Sequence, residues 1–112
     1  MAAAIGPWMQ LIVAIILELA GTSLLKLSDG FAKWHWGIVA IALYALCFWV
    51  MAGILRHIPV GVAYAIWSGV GIVGITLIGL IAFGERLTAA QLIFILLILA
   101  GATGLRLATA TG

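Results

Sequence analysis

Glu18 lies in the middle of an apolar run from Trp8 to Leu25, far from either end of that run. A carboxylate at bilayer depth costs several kcal/mol unless it is protonated, paired or hydrated, so residues of this kind are usually functional. No Lys or Arg lies at the middle of an apolar run to pair with it. We therefore interpret Glu18 as a group that binds a cation or exchanges a proton.

The neighbours of Glu18 on a helix are small. Residues three or four positions away share its face, and those that we assign to the site are Ala14, Gly21 and Thr22. Ala14 and Gly21 would leave room beside the carboxylate, and the Thr22 hydroxyl can donate a hydrogen bond or touch a ligand. The competing interpretation is that Ala14 and Gly21 only allow close helix packing.

A second group of residues lies on the third apolar run, where Tyr64 and Trp67 share a face with Ser68. Aromatic faces attract cations, so a carboxylate with an aromatic wall favours an organic cation as ligand. The competing interpretation places both rings in an interfacial aromatic belt. Gly69 and Gly71 predict a hinge of the kind that alternating access needs, or else a close contact between helices.

Composition identifies the class of protein. Of the 112 residues, 67% are hydrophobic and 7% are charged, which is more apolar surface than a soluble domain of this size can bury. The net charge of +2 is too small to favour nucleic acid as a partner. Cys47 is alone, and no phosphate loop, metal-ligand spacing or nucleophile–base pair is present. We predict an integral membrane protein that is not an enzyme and has no cofactor or metal.

Four apolar runs alternate with short polar breaks. Each is roughly 20 residues or longer, which as a helix spans the ~30 Å hydrocarbon core. We predict an all-α membrane protein with a single domain, 1–112, and transmembrane helices at about 7–27, 34–55, 60–83 and 88–107. Gly30 suits a left-handed cap, Pro59 the first turn of the third helix, and Thr88 with Gln91 a capping box before the fourth.

The loop charges favour no single orientation. The basic residues divide between the membrane faces as Lys26, Lys33 and Arg86 on one side and Arg56 and Arg106 on the other. A chain with so little bias can insert both ways, so we predict a dual-topology, antiparallel homodimer. Four helices make a thin bundle, and two copies would bring two Glu18 side chains to one cavity. Gly101 and Gly104 form a small-residue face that we assign to the dimer contact.

Together these residues resemble the small multidrug resistance family of four-helix bacterial inner-membrane transporters, over nearly the whole chain. The resemblance rests on ELAGTSLLK at 18–26, SDGF at 28–31 and IPVGVAYAIWSGVG at 58–71. It implies an antiparallel homodimer in the lipid bilayer that exchanges protons for cationic substrates. It also implies that Glu18 is the shared essential carboxylate and that Tyr64 and Trp67 contact the substrate.

The resemblance extends to two branches of the family. Gly21 stands where the guanidinium branch looks to carry Trp, and it is similar to the quaternary ammonium branch, as is the run Trp67–Gly69. The run Gly104–Arg106 resembles the guanidinium branch, and Phe94, seven residues before Gly101, stands where the drug-export branch often has a dimer-contact glycine.

We predict a proton-coupled antiporter that exports hydrophobic or quaternary ammonium cations. The alternatives are a guanidinium or polyamine exporter of the same architecture, one half of a heterodimer, and a non-transporting assembly subunit or channel.

Overall fold

The computed structural model of the chain describes the backbone of residues 6–111 and side chains as far as residue 109. The described range contains four helices and no strand: α1 (Pro7–Leu27), α2 (Trp34–Ile54), α3 (Val60–Ala82) and α4 (Ala89–Thr111). Each is long and apolar enough to cross a membrane. The prediction of an all-α, four-helix membrane protein is therefore confirmed, while residues 1–5 and 112 of the predicted domain lie outside the described residues.

A capping box opens α4, as the sequence predicts. The Thr88 N–H donates to Gln91 Oε1 at 2.9 Å, and the Gln91 N–H donates to Thr88 Oγ1 at 3.2 Å. Thr88 is therefore the residue before the helix, which begins at Ala89 rather than at 88. At the other end α4 continues to Thr111, beyond the predicted 107, because no Gly or Pro follows Gly104 within the helix to interrupt it.

The turn between α1 and α2 is held by Ser28, which is fully buried. Its hydroxyl accepts a hydrogen bond from the Phe31 N–H at 3.2 Å. The left-handed conformation predicted for Gly30 is present (φ 64°), and it extends to Asp29 (φ 52°) and Phe31 (φ 69°). Phe31 adopts this unfavourable conformation where its ring packs over Gly37, so the turn also fixes the start of α2.

Pro59 does not lie in the first turn of α3, and that prediction was wrong by one residue. It is the N-cap, with extended backbone (φ −55°, ψ 141°), and its carbonyl accepts the Ala63 N–H at 3.0 Å. The carbonyl of an N-cap residue accepts the first hydrogen bond of the helix, and proline has such a carbonyl. α3 closes at its other end through Gly84, with φ 66°, beyond which the Glu85 N–H donates to the Gly79 carbonyl at 2.9 Å.

The chain forms two compact helical hairpins, divided after Ile58. In the first, α1 packs against α2, and its buried residues include Leu11, Ala14, Ala40 and Cys47. In the second, α3 packs against α4. That all four helices make one domain stays a prediction.

Candidate functional site

A chain of hydrogen bonds leads to the carboxylate of Glu18, which is half-buried on α1. One helical turn later, Thr22 Oγ1 donates to Glu18 Oε1 at 2.8 Å. The same hydroxyl lies 2.6 Å from the Tyr44 hydroxyl on α2. Since Thr22 has one hydroxyl hydrogen and gives it to Glu18, Tyr44 must donate its own hydrogen to Thr22. The two hydroxyls therefore form a chain that ends at the carboxylate, with Thr22 as its direct donor.

Tyr44 reaches Thr22 because α1 has no side chain at Gly21. A Cβ at Gly21 would lie 3.0 Å from Tyr44 Cε1, 3.1 Å from Tyr44 Cδ1 and 3.4 Å from the Ala40 carbonyl. The first two separations are closer than ordinary carbon–carbon contact. The space beside Gly21 is thus taken by the tyrosine ring, and contact of Gly21 with a ligand stays a prediction.

Ala14 takes part in the contact between α1 and α2. It is fully buried, and its carbonyl accepts a hydrogen bond from the Cys47 thiol at 3.2 Å. Cys47 is itself buried, as expected for an unpaired cysteine in an apolar run. The packing interpretation of Ala14 is therefore supported, and its contact with a ligand stays a prediction.

Tyr44 was not predicted from the sequence as a site residue, although a signal for it existed. Tyr44 is at the centre of α2, which has no charged residue between Trp34 and Ile54. A tyrosine hydroxyl in an apolar environment usually finds a hydrogen-bond partner. Tyr44, like Glu18, is a polar group deep in an apolar run, and this position is the signal that identifies it.

The aromatic pair predicted on α3 is formed. The rings of Tyr64 and Trp67 meet edge to face, with centroids 5.4 Å apart and planes at 87°. Tyr64 is 62% exposed, whereas Trp67 is half-buried and so is the neighbouring Ser68. The Trp67 Nε1 is buried and has no acceptor among the described residues. Because a buried donor without an acceptor costs free energy, Trp67 would gain from an acceptor brought beside it.

The two groups of residues belong to different hairpins. Glu18, Thr22 and Tyr44 are in the first hairpin, while Tyr64 and Trp67 are in the second. Their meeting in one cavity stays a prediction.

The predicted hinge glycines lie within one uninterrupted helix, α3. Gly69 and Gly71 are both buried. A Cβ at Gly69 would lie 3.5 Å from Ala102 Cβ and 3.6 Å from Leu99 Cδ2, which is ordinary contact. The position of Gly69 therefore has space for a methyl group, and the packing of α3 on α4 does not require glycine there.

The predicted dimer-contact glycines present open faces. Gly101 and Gly104 are exposed on α4, and a Cβ on either would meet no atom of the described chain within 4 Å. Their contact with a second copy stays a prediction.

Comparison with known proteins agrees with the family resemblance. The family described as Small Multidrug Resistance protein matches residues 6–98. The multidrug transporter EmrE of Escherichia coli (strain K12) is 45% identical over 96 residues, which cover 86% of this chain and 87% of the relative. The quaternary ammonium compound-resistance protein QacE of Escherichia coli is 42% identical over 100 residues, covering 89% and 91%. The multidrug resistance protein EbrA of Bacillus atrophaeus is 44% identical over 91 residues, covering 81% and 87%.

Proposed function

This chain belongs to the small multidrug resistance family, and we propose that it is a proton-coupled antiporter that exports hydrophobic or quaternary ammonium cations. It is a multi-pass protein of the bacterial inner membrane. The relatives' names, a multidrug transporter and a quaternary ammonium resistance protein, support the substrate class. The observation that carries the proposal is the hydrogen-bonded Glu18 at the middle of a membrane-spanning helix.

The carboxyl of Glu18 can bind a proton or a cation, and the binding of one weakens the binding of the other. Thr22 donates to the carboxylate at 2.8 Å and so holds it in position for a cation. When the cation arrives, the proton leaves; when the cation departs, an uncompensated charge at this depth is costly and the proton returns. The two events together exchange one kind of positive charge for the other.

The aromatic pair supplies the surface for the organic part of the cation. The exposed Tyr64 ring and the half-buried Trp67 ring stand at 87° and would contact the cation from two directions. Ser68 follows Trp67 on the same helix and would tune the contact, as Thr22 does beside Glu18. The proposal requires that the two hairpins bring these residues together.

Transport also requires that the site open to alternate sides of the membrane. We assign the bending of α3 to Gly69 and Gly71 and the pairing of two antiparallel copies to the open faces of Gly101 and Gly104. Two copies place two Glu18 carboxyls in one cavity. Protons that move inward down their gradient then drive the cation outward.

Proton release on adding tetraphenylphosphonium to the detergent-purified protein tests this proposal. We expect the wild type to release protons and Glu18→Gln to release none. Glu85→Gln is the matched control, because it removes a carboxylate from the loop between α3 and α4 and should release protons like the wild type. Release that persists in Glu18→Gln, or is absent from the wild type, would contradict the proposal.

The end of α4 favours one alternative substrate class, which the same proton-release assay can distinguish. The run Gly104–Arg106 resembles the guanidinium branch of the family. Guanidinium and tetraphenylphosphonium should therefore be compared in competition. Release by guanidinium alone would identify a guanidinium exporter of the same architecture.

A further inference from the structure

A cavity of about 430 Å³ opens between α3 and α4, close to the loop that joins them. This volume is typical of ligand-binding pockets, which measure about 300–1,000 Å³. The lining changes along its length from polar to apolar, through Glu85, Arg86, Gln91, Ile75, Phe94 and Ile98. None of the residues assigned to transport is among the residues that line it.

The mouth of the cavity holds two opposite charges and an amide. Arg86 and Glu85 follow the end of α3, and both are exposed. The Glu85 side chain lies back over Gly79, where a Cβ would overlap it, so the carboxylate is held against α3. The Gln91 side-chain oxygen accepts the Thr88 N–H at 2.9 Å, which leaves its NH₂ group to donate.

The apolar wall continues from this mouth along α4. Gln91, Phe94 and Ile98 lie on successive turns of the helix, so the wall extends about 10 Å beyond Gln91 at ~1.5 Å per residue. Because both flanking helices are long enough to span a membrane, the mouth lies at the membrane boundary and the wall reaches toward the hydrocarbon. A ligand that matches this gradient has a polar head and an apolar chain.

The charges at the mouth select among such ligands. A phosphate group matches Arg86, since arginine binds phosphate through charge-assisted hydrogen bonds. An ammonium group matches Glu85, and one that carries N–H donors matches it better than a fully methylated one. A purely anionic headgroup would be repelled by the Glu85 carboxylate, and a lipophilic cation would be repelled by Arg86. A zwitterionic headgroup offers an opposite charge to each of the two residues.

We propose that this cavity binds a phospholipid whose headgroup carries a phosphate and a primary ammonium, as in phosphatidylethanolamine. The phosphate lies on Arg86 and Gln91, the ammonium on Glu85, and one acyl chain along Phe94 and Ile98. The lipid is a partner distinct from the transported cation, and the assignment does not depend on the proposed antiport.

Lipid retention tests this assignment. The protein is reconstituted in vesicles of equal parts phosphatidylethanolamine, phosphatidylcholine and phosphatidylglycerol, extracted in mild detergent and analysed by native mass spectrometry. We expect the wild type to retain phosphatidylethanolamine in preference to the other two. Arg86→Gln should lower that retention about tenfold, the effect of losing one charge-assisted hydrogen bond. Lys33→Gln, which removes a positive charge before α2, should leave it unchanged.

A second variant tests the apolar part of the cavity. Ile95→Trp adds volume to its wall without changing a charge and should abolish retention, with helix content checked by circular dichroism. Retention in the bulk ratio of the vesicles, or equal losses in Arg86→Gln and Lys33→Gln, would overturn the assignment. So would absence of retained lipid together with a changed oligomeric state in Ile95→Trp, because a second copy of the chain would then cover the cavity. Proton release by tetraphenylphosphonium should be normal in Arg86→Gln, which separates this test from that of antiport.

Discussion

Removal of the Tyr44 hydroxyl should weaken cation binding through Thr22, which links Tyr44 to Glu18. In Tyr44→Phe the ring is kept, so its packing against Gly21 is preserved. The change removes only the donor that lies 2.6 Å from Thr22 Oγ1. Thr22 still donates to Glu18, but its own oxygen loses a hydrogen-bond donor, and its hydroxyl becomes less polarised. Tyr44 is thus a positioning residue in this prediction.

The magnitude follows from the two hydrogen bonds. A hydrogen bond between neutral groups contributes about 0.5–1.5 kcal/mol, so Tyr44→Phe should lower cation affinity roughly two- to tenfold. Thr22→Val removes the bond made directly to the carboxylate, and hydrogen bonds to charged groups contribute about 1.5–3 kcal/mol. That variant should therefore lose roughly tenfold to a hundredfold in affinity.

Isothermal titration of tetraphenylphosphonium into the purified variants measures these losses. Thr109→Val is the matched control for a lost hydroxyl, because the Thr109 hydroxyl donates to the Leu105 carbonyl on α4 and its removal should leave cation affinity unchanged. The decisive variant is the double substitution Thr22→Val/Tyr44→Phe, which should bind no worse than Thr22→Val alone. If the two losses add, Tyr44 acts independently of Thr22 and the hydrogen-bond chain is refuted.

Three further predictions concern the glycines and the proton. Gly21→Ala should displace the Tyr44 ring, because its Cβ would lie 3.0 Å from Cε1; we expect lower thermal stability and weaker cation binding. Gly61→Ala is its control, since a Cβ there meets nothing within 4 Å, and an equal loss in both would contradict the ring contact. Gly69→Ala should fold and bind the cation normally, because its Cβ would make ordinary contact at 3.5 Å. Transport in vesicles should nevertheless slow, because alanine stiffens the helix. Transport at the wild-type rate would show that Gly69 is not part of the hinge. Cation affinity should fall as the pH is lowered, because protons neutralise the Glu18 carboxylate. In binding assays at several pH values, Glu18→Gln should bind the cation weakly and with an affinity that does not change. The same pH dependence in that variant would assign the proton to another group.

Much of the architecture is predictable from the sequence because the bilayer imposes a simple rule. An apolar run of sufficient length must satisfy its backbone within itself, so each of the four runs becomes a helix. Hydrogen bonds within one helical turn are predictable as well, because they join residues that are close together in the sequence. The capping box of Thr88 and Gln91 spans a single turn, and so does the hydrogen bond from Thr22 to Glu18.

The parts that were missed depend on contacts between helices. Tyr44 and Thr22 are 22 positions apart in the sequence, and no periodicity within α1 or α2 specifies which residues face each other. The helix packing decides that the space beside Gly21 holds the Tyr44 ring. The cavity between α3 and α4 has the same origin, because Glu85 and Ile98 line one space only after the two helices have packed. Sequence spacing determines which side chains share a helix face, whereas the approach of two helices determines what each face meets.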